Sequence, residues 1–282
     1  NVLQDFGALI ALIVLVVGIS IFSPEFRQPT NLLSLLRQSS INGLIAFGMT
    51  GVILTGGIDL SVGSVLALST AFCAGMIVAG IPVPVAMLAA LVIGVIFGVV
   101  SGFLVTKGRL QPFIATLITM TVYRGVTMIY TEGKPISGLG SSAFLKFIGK
   151  GAVFGIPFPV IVLVVVFAIF YFVLNKTTFG RRIYATGSNA ECAKLAGVNI
   201  NKTKLIAYGV SGLMSAMAGL ILLSRLSSAQ PTLGSGYELD AIAAVALGGT
   251  SMNGGRGKIT GTLFGVLIIA VLSNGMNILG IS

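Results

Sequence analysis

The chain of 282 residues is 55% hydrophobic and only 9% charged, with a formal net charge of +10. Because water-soluble domains carry about a quarter charged residues, this composition excludes a soluble globular protein. It predicts an all-α, polytopic membrane protein with one transmembrane domain over residues 1–282. The chain contains no histidine, which excludes His-dependent metal motifs, general bases and triads.

Uncharged apolar runs mark the predicted membrane spans. We expect about nine, at about 7–22, 41–58, 60–80, 83–106, 110–131, 158–175, 204–224, 241–252 and 259–279. The eighth run is short and ends in glycine, which predicts a broken or re-entrant element. The sequence begins at Asn1 without a methionine, and an odd number of spans places Ser282 across the membrane from the start. We therefore expect that both ends are trimmed.

The basic residues predict the orientation. If the N-terminus is cytoplasmic, the connections on that side carry most of the cations close to span ends: Lys107, Arg109, Lys176, Arg181, Arg182, Lys194, Lys202, Lys204, Arg256 and Lys258. The positive-inside rule favours this orientation. The net charge then reflects topology and contact with anionic lipid, and no nucleic-acid partner is expected.

One carboxylate stands between two apolar runs. Asp59 follows Gly56 and Gly57 at a predicted bend, and an ionisable group at membrane depth indicates a hinge or a transport pathway. We favour a structural role at the N-terminus of the third span, where the side chain accepts free backbone donors. Direct contact with a transported sugar is the alternative.

Several polar side chains within the spans are candidates for lining a path or forming a gate, although such residues also join neighbouring helices. They are Asn42, Thr50, Asp59, Ser61, Ser64, Asn274 and Asn277. Glycines at every fourth position, Gly94, Gly98 and Gly102 in one span and Gly261 with Gly265 in another, predict close helix packing. Packing within one subunit is favoured over dimerisation through these faces.

The segment from about 175 to 204 is predicted to be a cytoplasmic loop that carries a short helix. Ser188, Asn189, Ala190 and Glu191 read as a capping box, and Gly197 is a stop signal. A helix of two turns is unstable alone in water, so its face, which includes Ala193, Lys194 and Leu195, must dock. It docks either on the same chain or, as we favour, in a groove of a separate cytoplasmic subunit.

Three runs resemble signatures of the sugar-importing permeases of ATP-binding-cassette systems. They are LTGGIDLSVGS at 54–64, GSNAECAKLAGVN at 187–199 and LSSAQPTLGSGYELDAIAAVALGGTS at 226–251. The similarity extends over essentially the whole chain, and the last run is most similar to the ribose-importing members of the family. In the family a tenth helix follows the position of Ser282, which is why we expect the final helix to be missing.

The resemblance implies a pore subunit for a monosaccharide, most specifically ribose, in the bacterial inner membrane. Its partners would be a second permease copy, two cassette ATPases beneath, and a periplasmic or lipid-anchored sugar-binding protein above. Residues 188–198 match the family's coupling segment, and Glu238 and Asp240 could contact the binding protein or cap a helix. ATP hydrolysis would drive alternating access.

The chain itself is expected to be neither an enzyme nor a cofactor or metal protein. Gly257 and Lys258 are followed by Ile259 and lack the upstream glycine of a P-loop, so ATP and Mg²⁺ must be bound by the partner ATPase. The rival hypotheses are a secondary transporter, for which Asp59 would be the ion-coupling residue, and an intramembrane enzyme. The sequence leaves open galactose, xylose or autoinducer-2 as the cargo, and a homodimer or a heterodimer as the assembly.

Overall fold

A computed structural model describes residues 2–140 and 142–280. The predictions about the chain ends at Asn1 and Ser282 fall outside these residues. Twelve α-helices and one two-stranded hairpin make up the described fold: α1 Val2–Phe22, α2 Pro29–Leu54, α3 Val62–Val78, α4 Val83–Thr106, α5 Pro112–Tyr130, α6 Ala143–Lys150, β1 Ala152–Val153, β2 Ile156–Pro157, α7 Phe158–Lys176, α8 Thr178–Ser188, α9 Ala190–Leu195, α10 Ile200–Leu226, α11 Tyr237–Leu247 and α12 Ile259–Ile278. The all-α prediction is confirmed.

All nine predicted spans contain a helix. Five helices, α4, α5, α7, α10 and α12, are long and apolar enough to cross a bilayer, and shorter apolar helices cover Gly7–Phe22 and Val62–Val78. The second span was placed too late in the sequence, because α2 begins at Pro29 rather than near residue 41. Proline at the first turn starts this helix, and Arg37, which interrupts the uncharged run, is accommodated within it.

Helix α10 forms the centre of the bundle, packed against α2, α3 and α4. In its most apolar window 72% of the residues are buried, against 22% for α4, so α4 shields α10 and presents its other faces to lipid. Along the α4–α10 interface, a Cβ added at Gly94, Gly98 or Gly102 would overlap atoms of Tyr208, Gly212 or Ala216. The predicted packing of this glycine ladder within the subunit is confirmed.

The predicted broken element is also confirmed. After α10 the chain turns at Ser227, which has a φ of 55°, and residues 227–236 run back into the bundle until Gly234 meets Gly63 at the start of α3. Only then does the half-length helix α11 begin. Arg124 donates to the carbonyl oxygens of Pro231 (2.8 Å) and Leu233 (2.7 Å), which satisfies backbone groups that no helix pairs.

Helix α11 is held in place by α12. A Cβ at Gly261 would overlap the Gly248 carbonyl, and one at Gly265 would overlap the Ala244 carbonyl. The two helices therefore touch backbone to backbone, as the second glycine pair predicted. Residues 248–258 connect them on the same side of the bundle as α8 and α9, since Gly255 lies against Ser188.

Candidate translocation and coupling site

Asp59 lies in the non-helical segment between α2 and α3, with 1% of its surface exposed. Its Oδ1 accepts the Ser61 backbone N–H at 3.0 Å and the Ser61 hydroxyl at 2.6 Å. Its Oδ2 accepts the hydroxyl of Ser211, on α10, at 2.8 Å. The carboxylate therefore takes up a free backbone donor at the start of α3, as predicted, and also ties this bend to the central helix. The N-cap position itself belongs to Ser61, whose side chain makes no capping bond.

A buried set of hydroxyl groups continues from this bend towards α4 and α5. The Ser61 hydroxyl lies 3.2 Å from that of Ser101, which donates to Thr119 at 3.0 Å and lies 3.4 Å from the Tyr123 phenol. Three helices and the bend are thus connected through side chains that have few alternative partners at this depth.

The other path candidates occupy different environments. Thr50 is buried and bonds Thr262 at 2.9 Å, which joins α2 to α12. Asn274 exchanges two hydrogen bonds with Asn31, of 2.9 and 3.0 Å, which joins the same two helices further along. These two side chains link helices in this conformation. Their role in a path stays a prediction.

Three candidates remain less engaged. The buried Ser64 hydroxyl has no hydrogen-bond partner among the described residues, and Asn277 is exposed. Asn42 is half-buried, and its side-chain oxygen accepts a bond of 3.4 Å from Gln38. Of the seven candidates, Asn42 therefore combines partial access with unused hydrogen-bonding capacity.

Glu238 and Asp240 are not equivalent, and the structure corrects the placement of Glu238. Its side chain is buried, with 7% exposed, and its Oε1 accepts the Gly236 N–H at 3.2 Å at the start of α11. A buried carboxylate of this kind offers nothing to a docking protein. Asp240 is half-buried on the same helix.

The loop from 175 to 204 holds two helices, α8 and α9, where one was expected. The capping box was also placed one residue too early. Asn189 is the N-cap of α9, and its side-chain oxygen accepts the Cys192 N–H at 3.0 Å. Ser188 instead ends α8 and donates to the Gly255 carbonyl at 3.3 Å. This tertiary contact selects asparagine over serine as the cap, since both are good caps intrinsically.

The stop at Gly197 is confirmed. Gly197 has a φ of +82°, and the N–H groups of Gly197 and Val198 bond the carbonyls of Lys194 and Ala193 in a Schellman arrangement. On α9 the Ala193 side chain is 5% exposed, whereas Leu195 is 89% exposed. Ala193 thus faces its own chain, and Leu195 is the large apolar side chain that α9 presents outward.

A close backbone contact connects α8 to the bend that carries Asp59. We call Gly56, Gly187, Gly254 and Gly255 the glycine junction. The Gly255 N–H bonds the carbonyl of Leu54, the last residue of α2, at 3.0 Å, and a Cβ at Gly187 would overlap that same carbonyl. Gly254 is likewise packed against Gly56. Any displacement of α8 is therefore felt at the end of α2 and in the 248–258 loop.

Tyr184 adds a side-chain bond to this contact. Its phenol donates to the Gly257 carbonyl at 2.9 Å, and burial raises the pKa of Tyr184 above its ordinary value. The phenol therefore stays protonated and able to donate at physiological pH. The glycine-rich sequence of the 248–258 loop was the available signal for this contact, but its partner on α8 lies about 70 residues away in the chain.

These features define a class of protein: an all-helical membrane permease with a broken helix near its centre and a short helix exposed beyond the bundle. Comparison of the sequence with known proteins agrees. Residues 31–282 match the family described as "Branched-chain amino acid transport system / permease component", and the chain belongs to that permease family.

The relatives include curated sugar permeases. The chain is 56% identical to the ribose import permease protein of Bacillus subtilis (strain 168), over 100% of this chain and 88% of the relative. It is 50% identical to the ribose import permease protein of Escherichia coli (strain K12), over 99% and 88%, and 40% identical to the L-arabinose transport system permease of the same strain, over 99% and 84%. No solved structure matches the chain.

Proposed function

We propose that this chain is the pore subunit of an ATP-driven ribose importer that works by alternating access. The observation that carries the proposal is full-length identity of 50–56% to ribose import permeases, against 40% to an arabinose permease. The cargo is inferred from this difference. An aldopentose is a neutral, hydroxyl-rich molecule, and such cargo needs hydrogen-bonding groups rather than a charged site.

In this proposal α9 docks on a partner ATPase, which binds ATP and Mg²⁺. The exposed Leu195 supplies the apolar anchor, and Lys194 and Glu191 lie at its rim. Movement of α9 reaches α8 directly, and the glycine junction passes it to the end of α2 and to the loop before α12. Asp59 then holds the bend against α10 while the helices on either side change their tilt.

The remaining parts of the assembly follow from the same proposal. The basic connections, with α8 and α9, face the cytoplasm, so the N-terminus is also cytoplasmic. A second copy of this chain completes the pore, and an extracytoplasmic binding protein delivers the sugar to the opposite side.

Reconstitution tests this function against its main rival. The permease is incorporated into proteoliposomes with the cassette ATPase and the sugar-binding protein encoded beside it, and uptake of labelled ribose, arabinose and xylose is measured. We expect ribose uptake that requires ATP and is insensitive to a proton ionophore. Uptake that proceeds without ATP and collapses with the ionophore would identify a secondary transporter, and preference for another pentose would correct the cargo.

A further inference from the structure

Five polar side chains from three helices meet at the end of the bundle opposite α8 and α9. Arg37, Gln38 and Asn42 come from α2, Arg225 from the last turn of α10, and Tyr237 from the first turn of α11. We call them the mouth cluster. All five are half-buried, in contrast to the following stretch of α2, residues 43–54, which is entirely buried.

Gln38 is at the centre of the mouth cluster. Its side-chain N–H₂ donates to the Tyr237 oxygen at 3.2 Å and to the Asn42 oxygen at 3.4 Å, and its oxygen accepts a bond of 3.2 Å from Arg225. The arrangement joins the central helix, the long polar helix and the broken helix through one amide. It is therefore set at the point where α11 departs from the bundle.

The cluster has many donors without acceptors. The Arg37 Nε is buried and has no hydrogen-bond partner among the described residues. Four further N–H groups of Arg225, the Asn42 N–H₂ and the Tyr237 O–H are also not used in the bonds given above. Arg37 and Arg225 repel each other electrostatically, and within the described residues neither forms an ion pair. Half-buried donors of this kind require acceptors from elsewhere.

The depth of the cluster points to a pathway rather than to a surface patch. At 1.5 Å per residue, Arg37 lies about 12 Å and Asn42 about 20 Å along α2 from its start at Pro29. Polar groups at this depth in a membrane protein face a water-filled cavity or a transport path. Transporters place their cargo sites at discontinuous helices, and α11 is the half-length helix of this fold.

We propose that Arg37, Gln38, Asn42, Arg225 and Tyr237 form a contact site for the hydroxyl groups of a monosaccharide as it enters the pore. This inference rests on the proposed function and names a site for its cargo. Sugar hydroxyl oxygens accept the unused N–H bonds, and the Tyr237 ring supplies an apolar face for the C–H groups. Each neutral hydrogen bond contributes little net free energy, which suits a site that the cargo must leave again.

The test uses the reconstituted transporter with Asn42→Ala and Gln38→Ala, and with Gln111→Ala as the matched control. Gln111 is an exposed residue that precedes α5. Two quantities are measured: the sugar transported per ATP hydrolysed, and the concentration of binding protein that half-maximally stimulates the ATPase. We expect about fivefold less sugar per ATP in both cluster variants, with the half-maximal concentration unchanged, since each loses about 1 kcal/mol of hydrogen bonding. Gln111→Ala should match the wild type.

The outcomes separate the two proposals. A wild-type transporter that moves no monosaccharide overturns the proposed function. If the wild type transports ribose and both cluster variants keep its yield per ATP, only the mouth cluster assignment fails. A raised, salt-sensitive half-maximal concentration in the variants would instead assign the two arginines to an acidic protein surface and would also overturn the sugar site.

A second measurement covers the case in which these variants fail to fold. The chain contains no tryptophan, so Tyr237→Trp introduces a single indole at the cluster. We expect its fluorescence to change saturably as ribose is added to the purified permease. Tyr171→Trp is the control, because Tyr171 lies exposed on α7, and it should not respond. A flat titration at Tyr237→Trp contradicts the proposal.

Discussion

Glycine forms the closest contacts in two regions of this molecule, yet the two regions differ in backbone conformation. At the α4–α10 interface Gly94, Gly98 and Gly102 are ordinary helical residues, and their lack of a side chain lets two long helices touch. In the glycine junction Gly56, Gly254 and Gly255 have φ values of +77°, +85° and +71°, outside any helix.

The difference teaches that one residue type serves both a fixed and a movable contact. Helical glycines save space and are locked by the hydrogen bonds of their helix. Glycines with positive φ hold loops that can change conformation at low cost. We therefore expect substitutions at the α4–α10 interface to affect stability and those at the junction to affect coupling.

The largest effect is expected at the α4–α10 interface. A Leu side chain at position 98 must displace the Tyr208 carbonyl and the Gly212 Cα, so Gly98→Leu should destabilise the subunit by about 3 kcal/mol. Thermal unfolding in detergent measures this. Gly125→Leu on α5 is the control, because nothing lies within 4 Å of its Cβ position. Equal midpoints for the two variants would show that α4 and α10 separate easily.

Coupling should be lost next most strongly at the outward face of α9. Leu195→Asp should weaken assembly with the ATPase by about 2 kcal/mol, or roughly 30-fold in affinity, if Leu195 is an interface anchor. Because the side chain is 89% exposed, the permease alone should keep its thermal midpoint. Ala193→Arg is the contrasting variant, since Ala193 is buried and a long side chain there destabilises the chain itself. Wild-type assembly by Leu195→Asp would remove α9 from the interface.

A smaller effect is expected in the glycine junction. Gly187→Ala adds one methyl group against the Leu54 carbonyl and the Gly255 N–H. We expect transport per ATP to fall about tenfold, which corresponds to about 1.4 kcal/mol, while the loss of stability stays below that of Gly98→Leu. Uptake and ATP hydrolysis are measured on the same proteoliposomes. A variant that loses stability without losing coupling would make the junction a second packing contact.

The sequence predicted the helices better than it predicted their contacts. Uncharged runs located every span, because lipid imposes length and apolarity on a crossing helix. The start of α2 was missed because Arg37, Gln38 and Asn42 make its first half polar, and α8 was missed because its basic residues resemble a loop. Ser211 could not be identified as a partner of Asp59, since 152 residues separate them and small serines are common in membrane helices.

The smallest effect is expected at Asp59, which lies between the two regions and bonds to α10. Three donors converge on its carboxylate, two from Ser61 and one from Ser211. In Asp59→Asn the amide oxygen keeps the Ser61 bonds, and the Ser211 hydroxyl can rotate to accept from the amide nitrogen, so stability should change by less than about 1 kcal/mol. Asp59→Ala should cost about 2–3 kcal/mol, because it leaves these buried donors unpaired. If Asp59→Asn folds normally, assembles with the ATPase and yet transports no ribose, the negative charge itself is needed, and the bend would then be part of the path rather than its support.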